Sequence, residues 1–437
     1  MFARLCSFAA LAAVAMSVPA LAHAADFDVK AATDAYLATV TGAARAKSDA
    51  YFEGGYWLIL WDALATIAVC FLLLFTRASA GLRNVAERLA RWRWLQTFIY
   101  AALFILVLSI LTFPLTINEG FYREHAYGLS NMSLPAWLGD LAKGTGIAVV
   151  AGGLGLTAGY AAIRRVPKSW PVWAMIIVAA FLIIGSLLGP VFIEPMFNTY
   201  KPMNDGPVKD GILSLARANG VPATQVFQVD ASRQSDRVSA NVAGFLGTTR
   251  IALNDNLLRR ASPAEIKAVM AHELGHYVLN HIVKSVVYLT LLFGVGFFFS
   301  NLGFAALYRV FGANWGVRDI GDSAGLPLLL IFFTLFGLVA TPIQNSIVRE
   351  DEVQADIFGL NAAREPDAFA TAILKLAEYR KLDPTPLEEI VFYDHPSGRS
   401  RVAMAMQWKS EHLNELPPAP APVAPAPEPI KPAPPVP

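Results

Sequence analysis

The chain has 437 residues and a mass of 47.3 kDa, length enough for two or three domains. Hydrophobic residues make up 55% and charged residues only 16%, with a mean hydropathy of +0.45. Soluble domains average about 25% charged, so the composition argues against a soluble globule and against a disordered chain. The net charge of +1 implies no nucleic-acid partner. Cys6 and Cys70 both lie in apolar runs, so neither a disulfide framework nor a cysteine metal site can be built from them.

Residues 1–24 open with Arg4, continue with a short apolar run and end on Ala22-His23-Ala24, which reads as a signal peptide or an uncleaved first anchor. Within 25–197 four apolar segments lie near 56–75, 98–115, 146–163 and 170–192. Two more, near 286–307 and 326–343, fill the stretch 285–344. Each approaches the roughly 20 residues that cross about 30 Å of hydrocarbon as a helix. Six in one chain predict a multi-pass protein of the lipid bilayer, expected in a bacterial inner membrane.

Arg77, Arg83, Arg88, Arg91 and Arg93 follow the first of these spans, and Arg164, Arg165 and Lys168 follow the third. The loop between, 116–139, has only Arg123 among its arginines. Basic short loops stay in the cytoplasm, so the polar block 198–284 is expected to face outward. A second polar block occupies 345–415, and the Pro/Ala-rich tail 416–437 is expected to be an extended tether that buries no core.

Within the first polar block, Ser262-Pro263-Ala264-Glu265 has the form of a helix start, with an N-cap, a proline in the first turn and a capping box. The helix it opens, 266 to about 280, carries His272-Glu273-Leu274-Gly275-His276. Histidines four apart share a helical face, and their ring nitrogens can hold one Zn²⁺. Glu273 lies beside them, placed to take a proton from water that such an ion activates. Seven histidines in the chain, with Glu at about 5%, would give this pattern by chance in roughly one such chain in 200. The capped helix and its apolar opposite face (Ile266, Val269, Met270) add a context that chance does not supply.

A catalytic zinc needs a third protein ligand, and candidates lie in Arg349-Glu350-Asp351-Glu352-Val353-Gln354-Ala355-Asp356. Glu352 and Asp356 are four apart on one helical face, so one can bind metal while the other accepts the N–H of a ligating histidine. Spacing alone leaves Glu350, Glu352 and Asp356 open. Two spans separate His276 from Glu352, and an even number returns the chain to the same side of the membrane. His281, five past His276, falls off the ligand face of a continuous helix and reads as a surface or packing residue.

The run AHELGHYVLNHIVK (271–284), EVQAD (352–356), DHPSGRSR (394–401), VSANVAGFLGTTRIALNDNLL (238–258) and GPVFIEPMFNTYKP (189–202) together resemble the type I CAAX prenyl protease family of integral-membrane zinc metallopeptidases. The resemblance spans about 51–408. It implies a mainly α fold, with polytopic membrane helices enclosing a chamber and a small α+β gluzincin-like zinc peptidase domain split between 198–284 and 345–415. It implies that His272, His276 and Glu352 bind one Zn²⁺ per chain, that Glu273 is the general base and that Asp356 stands behind the ligands. It also implies that His395 and Arg401 stabilise the oxyanion and the substrate end, and that the substrate is a peptide or protein, in the family one prenylated at its C-terminus. Ser239-Ala240 stands where many members have Asn-Ala, and Ser397 where a second proline is common. Eukaryotic members put this domain on the cytosolic side, opposite to the arginine distribution here.

Alternating apolar residues at 239–245, a turn at 247–249 and a second run at 250–253 predict a hairpin beside the metal helix, its exposed edge (Ser239, Ala240, Asn241) positioned to pair with an extended substrate. Two other readings share these motifs: a quality-control protease for membrane or exported proteins with no prenyl requirement, and a polytopic transporter or receptor with a structural zinc. A structural site is usually closed by four protein ligands, and no obvious fourth one is present.

Overall fold

A computed structural model describes residues 27–244, 249–375 and 378–416. The signal-like segment, the tip of the expected hairpin and the Pro/Ala-rich tail lie outside the described residues. After α1 (Val29–Leu37) come α2 (Gly42–Phe75), α3 (Ala78–Leu89), α4 (Arg93–Ile117), a short α5 (Glu124–Ala126), α6 (Leu134–Arg165) and α7 (Trp170–Leu188). Further along lie α8 (Pro207–Ala218), α9 (Asp255–Arg260), α10 (Pro263–Val278), α11 (His281–Trp315) and α12 (Leu326–Ala363). The chain closes with α13 (Pro366–Lys375), α14 (Pro386–Phe392) and α15 (Gly398–Glu411).

Among the described residues six helices, those built on α2, α4, α6, α7, α11 and α12, are long and apolar enough to cross a membrane. All six coincide with the expected apolar segments, but several run well beyond them. At 1.5 Å per residue, the 38 residues of α12 extend about 57 Å, nearly twice the hydrocarbon thickness. The surplus turns of α12 carry Glu352 and Asp356 in the same unbroken helix that supplies the last span. Pro114 lies inside α4, and the helix then widens into a π turn at Asn118–Arg123, a common response to the hydrogen bond that proline removes.

Tyr100, Tyr160, Phe304, Leu74, Trp315 and Leu328 form the buried centre of the membrane bundle. At one end of it the loops meet. Arg83 pairs with Asp322, Arg318 with Glu87, and Arg164 Nε donates to the Gly321 carbonyl at 2.8 Å. At the other end lies a four-stranded sheet of β1 (Tyr200–Pro202), β2 (Val226–Val229), β3 (Ala240–Ala243) and β4 (Arg250–Asn254), in the order β1-β2-β4-β3. β2 and β4 run parallel, and the other two pairs are antiparallel. Ile212, Val226, Ile251, Leu253, Ile266 and Met270 fuse the sheet to α8 and α10.

β3 is an edge strand among the described residues. The residues before it are tied to the membrane helices. Arg237 Nη2 donates to Glu124 Oε2 at 2.7 Å and to the Tyr51 hydroxyl at 2.8 Å, and that hydroxyl donates to Glu124 Oε1 at 2.6 Å.

Candidate active site and metal centre

α10 begins as its sequence dictates. The Ser262 hydroxyl accepts from the Glu265 amide at 3.3 Å, the Glu265 carboxylate accepts from the Ser262 amide at 2.6 Å, and Pro263 occupies the first turn. Lys375 from α13 holds the same carboxylate at 2.7 Å. The helix packs directly along the far half of α12, and two glycines make that approach feasible. A Cβ on Gly359 would lie 3.0 Å from the His272 amide nitrogen, and one on Gly275 would lie 3.2 Å from the Ala355 Cα.

This close approach brings the sequence candidates together. The His272 and His276 Nε2 atoms are 3.1 Å apart, and the Glu352 oxygens stand 3.4 Å from each. One ligand atom from each of the three residues lies within 4.8 Å of the others. Glu352 is buried, yet its Oε2 accepts no hydrogen bond. Two imidazole nitrogens and an orphaned carboxylate oxygen converging on one point are the donor set of a first-row divalent cation, so the residues fit a metal ion. Glu350 accepts a hydrogen bond from Gln354 at 3.2 Å and stands outside the cluster, whereas Glu352 lies within it.

Asp356 is fully buried behind the ligands. The His272 Nδ1 faces its Oδ1 at 2.8 Å, leaving Nε2 toward the cluster. Burial opposes a charge on His272, but the Asp356 and Glu352 carboxylates outweigh it and lift the ring to about 9. His276 goes the other way, pulled down to about 4 by burial and by its neighbour His272.

Glu273 points into a cavity of about 340 Å³ that it shares with Ser239, Ala240, His272, Glu352 and His395. Burial pushes its carboxyl up to about 7; the nearby His272 opposes this and the Glu352 charge adds to it. The edge of β3 thus borders the same hollow as the metal cluster. Asn241, one residue on, pairs with Ala252 in the ladder and keeps a buried Oδ1 with no partner among the described residues.

His395 enters the cavity from the turn before α15. Its Nε2 is 3.4 Å from Glu352 Oε2, and its Nδ1–H donates to Asp394 at 2.8 Å. Arg401 also borders the cavity, but its guanidinium forks onto Asp356, with Nε to Oδ2 at 2.8 Å and Nη2 to Oδ1 at 2.5 Å. Its donors therefore point behind His272. Sequence reasoning missed Asp394, although the adjacent Asp-His pair was a usable signal. His281, read as a surface or packing residue, is a packing one: it is 4% exposed and sits against His276. The helix is not continuous there: α10 stops at Val278, and Asn280, at φ 57°, turns the chain so that His281 starts a new helix.

Comparison with known proteins agrees with this architecture. Residues 202–409 match peptidase family M48, and residues 30–199 match the CAAX prenyl protease N-terminal region of five membrane helices. The CAAX prenyl protease 1 homolog of Arabidopsis thaliana is 31% identical over 304 residues, covering 66% of this chain and 68% of the relative. An uncharacterized metalloprotease of Bacillus subtilis, YhfN, is 27% identical over 337 residues, covering 77% and 79%. The crystal structure of S. mikatae Ste24p shares the fold, with a TM-score of 0.71 at 23% identity over 86% of this chain and 94% of that one. A helical membrane chamber carrying a small peptidase domain is therefore the fold, and a metal-dependent protease of peptide or protein substrates is the activity. The chain belongs to the CAAX prenyl protease family of multi-pass membrane metallopeptidases.

Proposed function

We propose that the metal is zinc, held by His272, His276 and Glu352, and that the chain is an endopeptidase working in the cavity beside them. The observation that carries this is the clustering of the two Nε2 atoms, 3.1 Å apart, with one Glu352 oxygen 3.4 Å from each, the buried oxygen facing His272 accepting no hydrogen bond among the described residues. An ion there would supply Lewis-acid polarisation of the scissile carbonyl and of water.

The chain's own residues supply the rest. The free edge of β3 at Ser239, Ala240 and Asn241 pairs with an extended substrate segment and holds its backbone beside the cluster. Glu273 accepts a proton from the attacking water and returns it to the leaving nitrogen. His395 is held by Asp394 at Nδ1 and turns Nε2 into the cavity, where negative charge develops on the carbonyl oxygen. Asp356 fixes His272 with Nε2 facing the metal. The fork of Arg401 on Asp356 favours a positioning role over the substrate contact expected from its motif.

Glu273→Gln keeps the shape and removes the base. It should retain one metal per chain and lose about 10²–10⁴-fold in turnover, checked by metal analysis together with peptide cleavage. Normal turnover in that variant would remove Glu273 from the reaction.

For the substrate, two readings divide on one observation. The family motifs favour a prenylated C-terminal segment, whereas the arginine distribution favours an outward-facing domain and hence membrane or exported polypeptides without a prenyl group. A farnesylated CAAX peptide assayed against its unprenylated twin separates them: preference for the farnesylated peptide supports the first, equal cleavage the second.

A further inference from the structure

Each metal-ligating histidine needs its second ring nitrogen engaged, because that hydrogen bond selects the tautomer and fixes the ring plane. For His272 the partner is Asp356. For the Nδ1 of His276 no carboxylate is in reach among the described residues. Its Nδ1 instead lies 2.9 Å from the Nδ1 of His281, with the two ring centroids 5.0 Å apart and the planes at 75°.

Two neutral imidazoles meeting at their Nδ1 atoms can form a hydrogen bond only if one is protonated there and the other is not. A His276 whose Nε2 lone pair faces the metal must carry its proton on Nδ1. His276 therefore donates and His281 accepts, which puts the His281 proton on Nε2. That atom is buried, has no hydrogen-bond partner among the described residues, and faces Asp351 Oδ1 at 3.7 Å. Asp351 is itself buried and precedes the ligand Glu352 on α12. Lys284 stands 3.8 Å from the same oxygen and is fastened to Gln354 at 2.8 Å.

Resting on the zinc reading above, we propose that His281, polarised by Asp351, is a positioning residue that locks His276 in its metal-binding tautomer and so sets how tightly the site holds zinc. One ligand is thus backed directly by a carboxylate and the other through an interposed imidazole. The arrangement depends on Asn280, whose left-handed turn lets α11 start with its first residue folded back against the last turn of α10.

The test is zinc affinity of the full-length protein in detergent, measured by competition with a chelator. His281→Ala should weaken zinc binding about 10–100-fold, the usual cost of removing such a partner. At saturating zinc its kcat should recover, because the loss lies in occupancy. His281→Asn should restore most of the affinity, since its amide oxygen reaches the place of Nδ1. His281→Gln, which reaches the place of Nε2 instead, should not. If His281→Ala fails to fold, the Asn and Gln pair still decides the matter. Wild-type affinity in His281→Ala, or equal affinity in the Asn and Gln variants, would overturn the proposal and leave the zinc site standing. A wild-type protein that takes up no zinc would remove both.

Discussion

Asp356 carries two loads at once. It orients His272 and it neutralises Arg401, and all three side chains are buried. Removing one partner of such a pair strands the other charge. Arg401→Ala should therefore cost about 3–5 kcal/mol in stability, measured by denaturant unfolding of the metal-free protein, and Arg401→Lys should recover only part because it lacks the fork. The residues proposed to hold the metal also set a proton balance. His272, lifted to about 9, is charged at neutral pH without an ion, and an ion can bind its Nε2 only after that proton leaves. Metal uptake at pH 7 should release protons, and the apparent affinity should fall as pH is lowered from about 9. A pH-indicator dye present during a zinc titration reads this directly, and an unchanged dye signal would contradict it. At this scale the sequence was legible where chemistry is local. The four-residue spacings of His272 with His276 and of Glu352 with Asp356 survive intact in the structure. The Arg401–Asp356 bond spans 45 positions, so no periodicity announces it, and a motif reading put that arginine on the substrate.

Between elements, the site depends on how closely α10 and α12 approach. The Gly359 position meets the His272 backbone, which cannot swing aside as a flexible side chain would. Gly359→Ala must therefore push the two helices apart by a few tenths of an ångström, at about 1–3 kcal/mol. Because the ligands sit on both helices, metal affinity should fall along with stability, and a titration of the variant reads both. Sequence alone reveals Gly275 as an oddity inside a helix, but its contact with α12 is a tertiary fact. A second element-level joint holds α14, the short helix leading to His395. Lys381 bridges Glu388 at 2.8 Å and Glu53 of α2 at 2.7 Å, Glu388 also caps α14, and Phe392 stacks on Tyr56 at 3.9 Å. The Lys381 hydrogen bond holds the Glu388 carboxyl down at about 2. A depressed carboxyl stabilises the fold above its ordinary value near 4.5 and loses that contribution as pH falls from there toward about 2. Limited proteolysis between α13 and α14 should therefore accelerate over that window, and Glu388→Gln should flatten the dependence.

For the whole molecule, the spans were legible because hydrocarbon demands long apolar helices with every backbone group satisfied internally. The lengths of the helices were not, because their polar extensions are stabilised by contacts beyond the membrane. Those extensions explain how one chain can interrupt its catalytic domain with two spans and still assemble it, since α11 and α12 rise from and return to the same end. The structure also gathers the basic loops. Arg83, Arg164 and Arg318 meet through Asp322, Gly321 and Glu87 at the end away from the sheet. Charge asymmetry in short loops sets topology, so that end should lie in the cytoplasm and the peptidase end outside it. Single cysteines test this in a chain whose own Cys6 and Cys70 are replaced. Lys201→Cys on exposed β1 should react with a membrane-impermeant maleimide in intact cells, and Arg91→Cys, equally exposed at the other end, only after the membrane is opened. The reverse pattern would put the cavity in the cytosol, the side on which eukaryotic members carry this domain, and would shift the expected substrate back toward prenylated peptides.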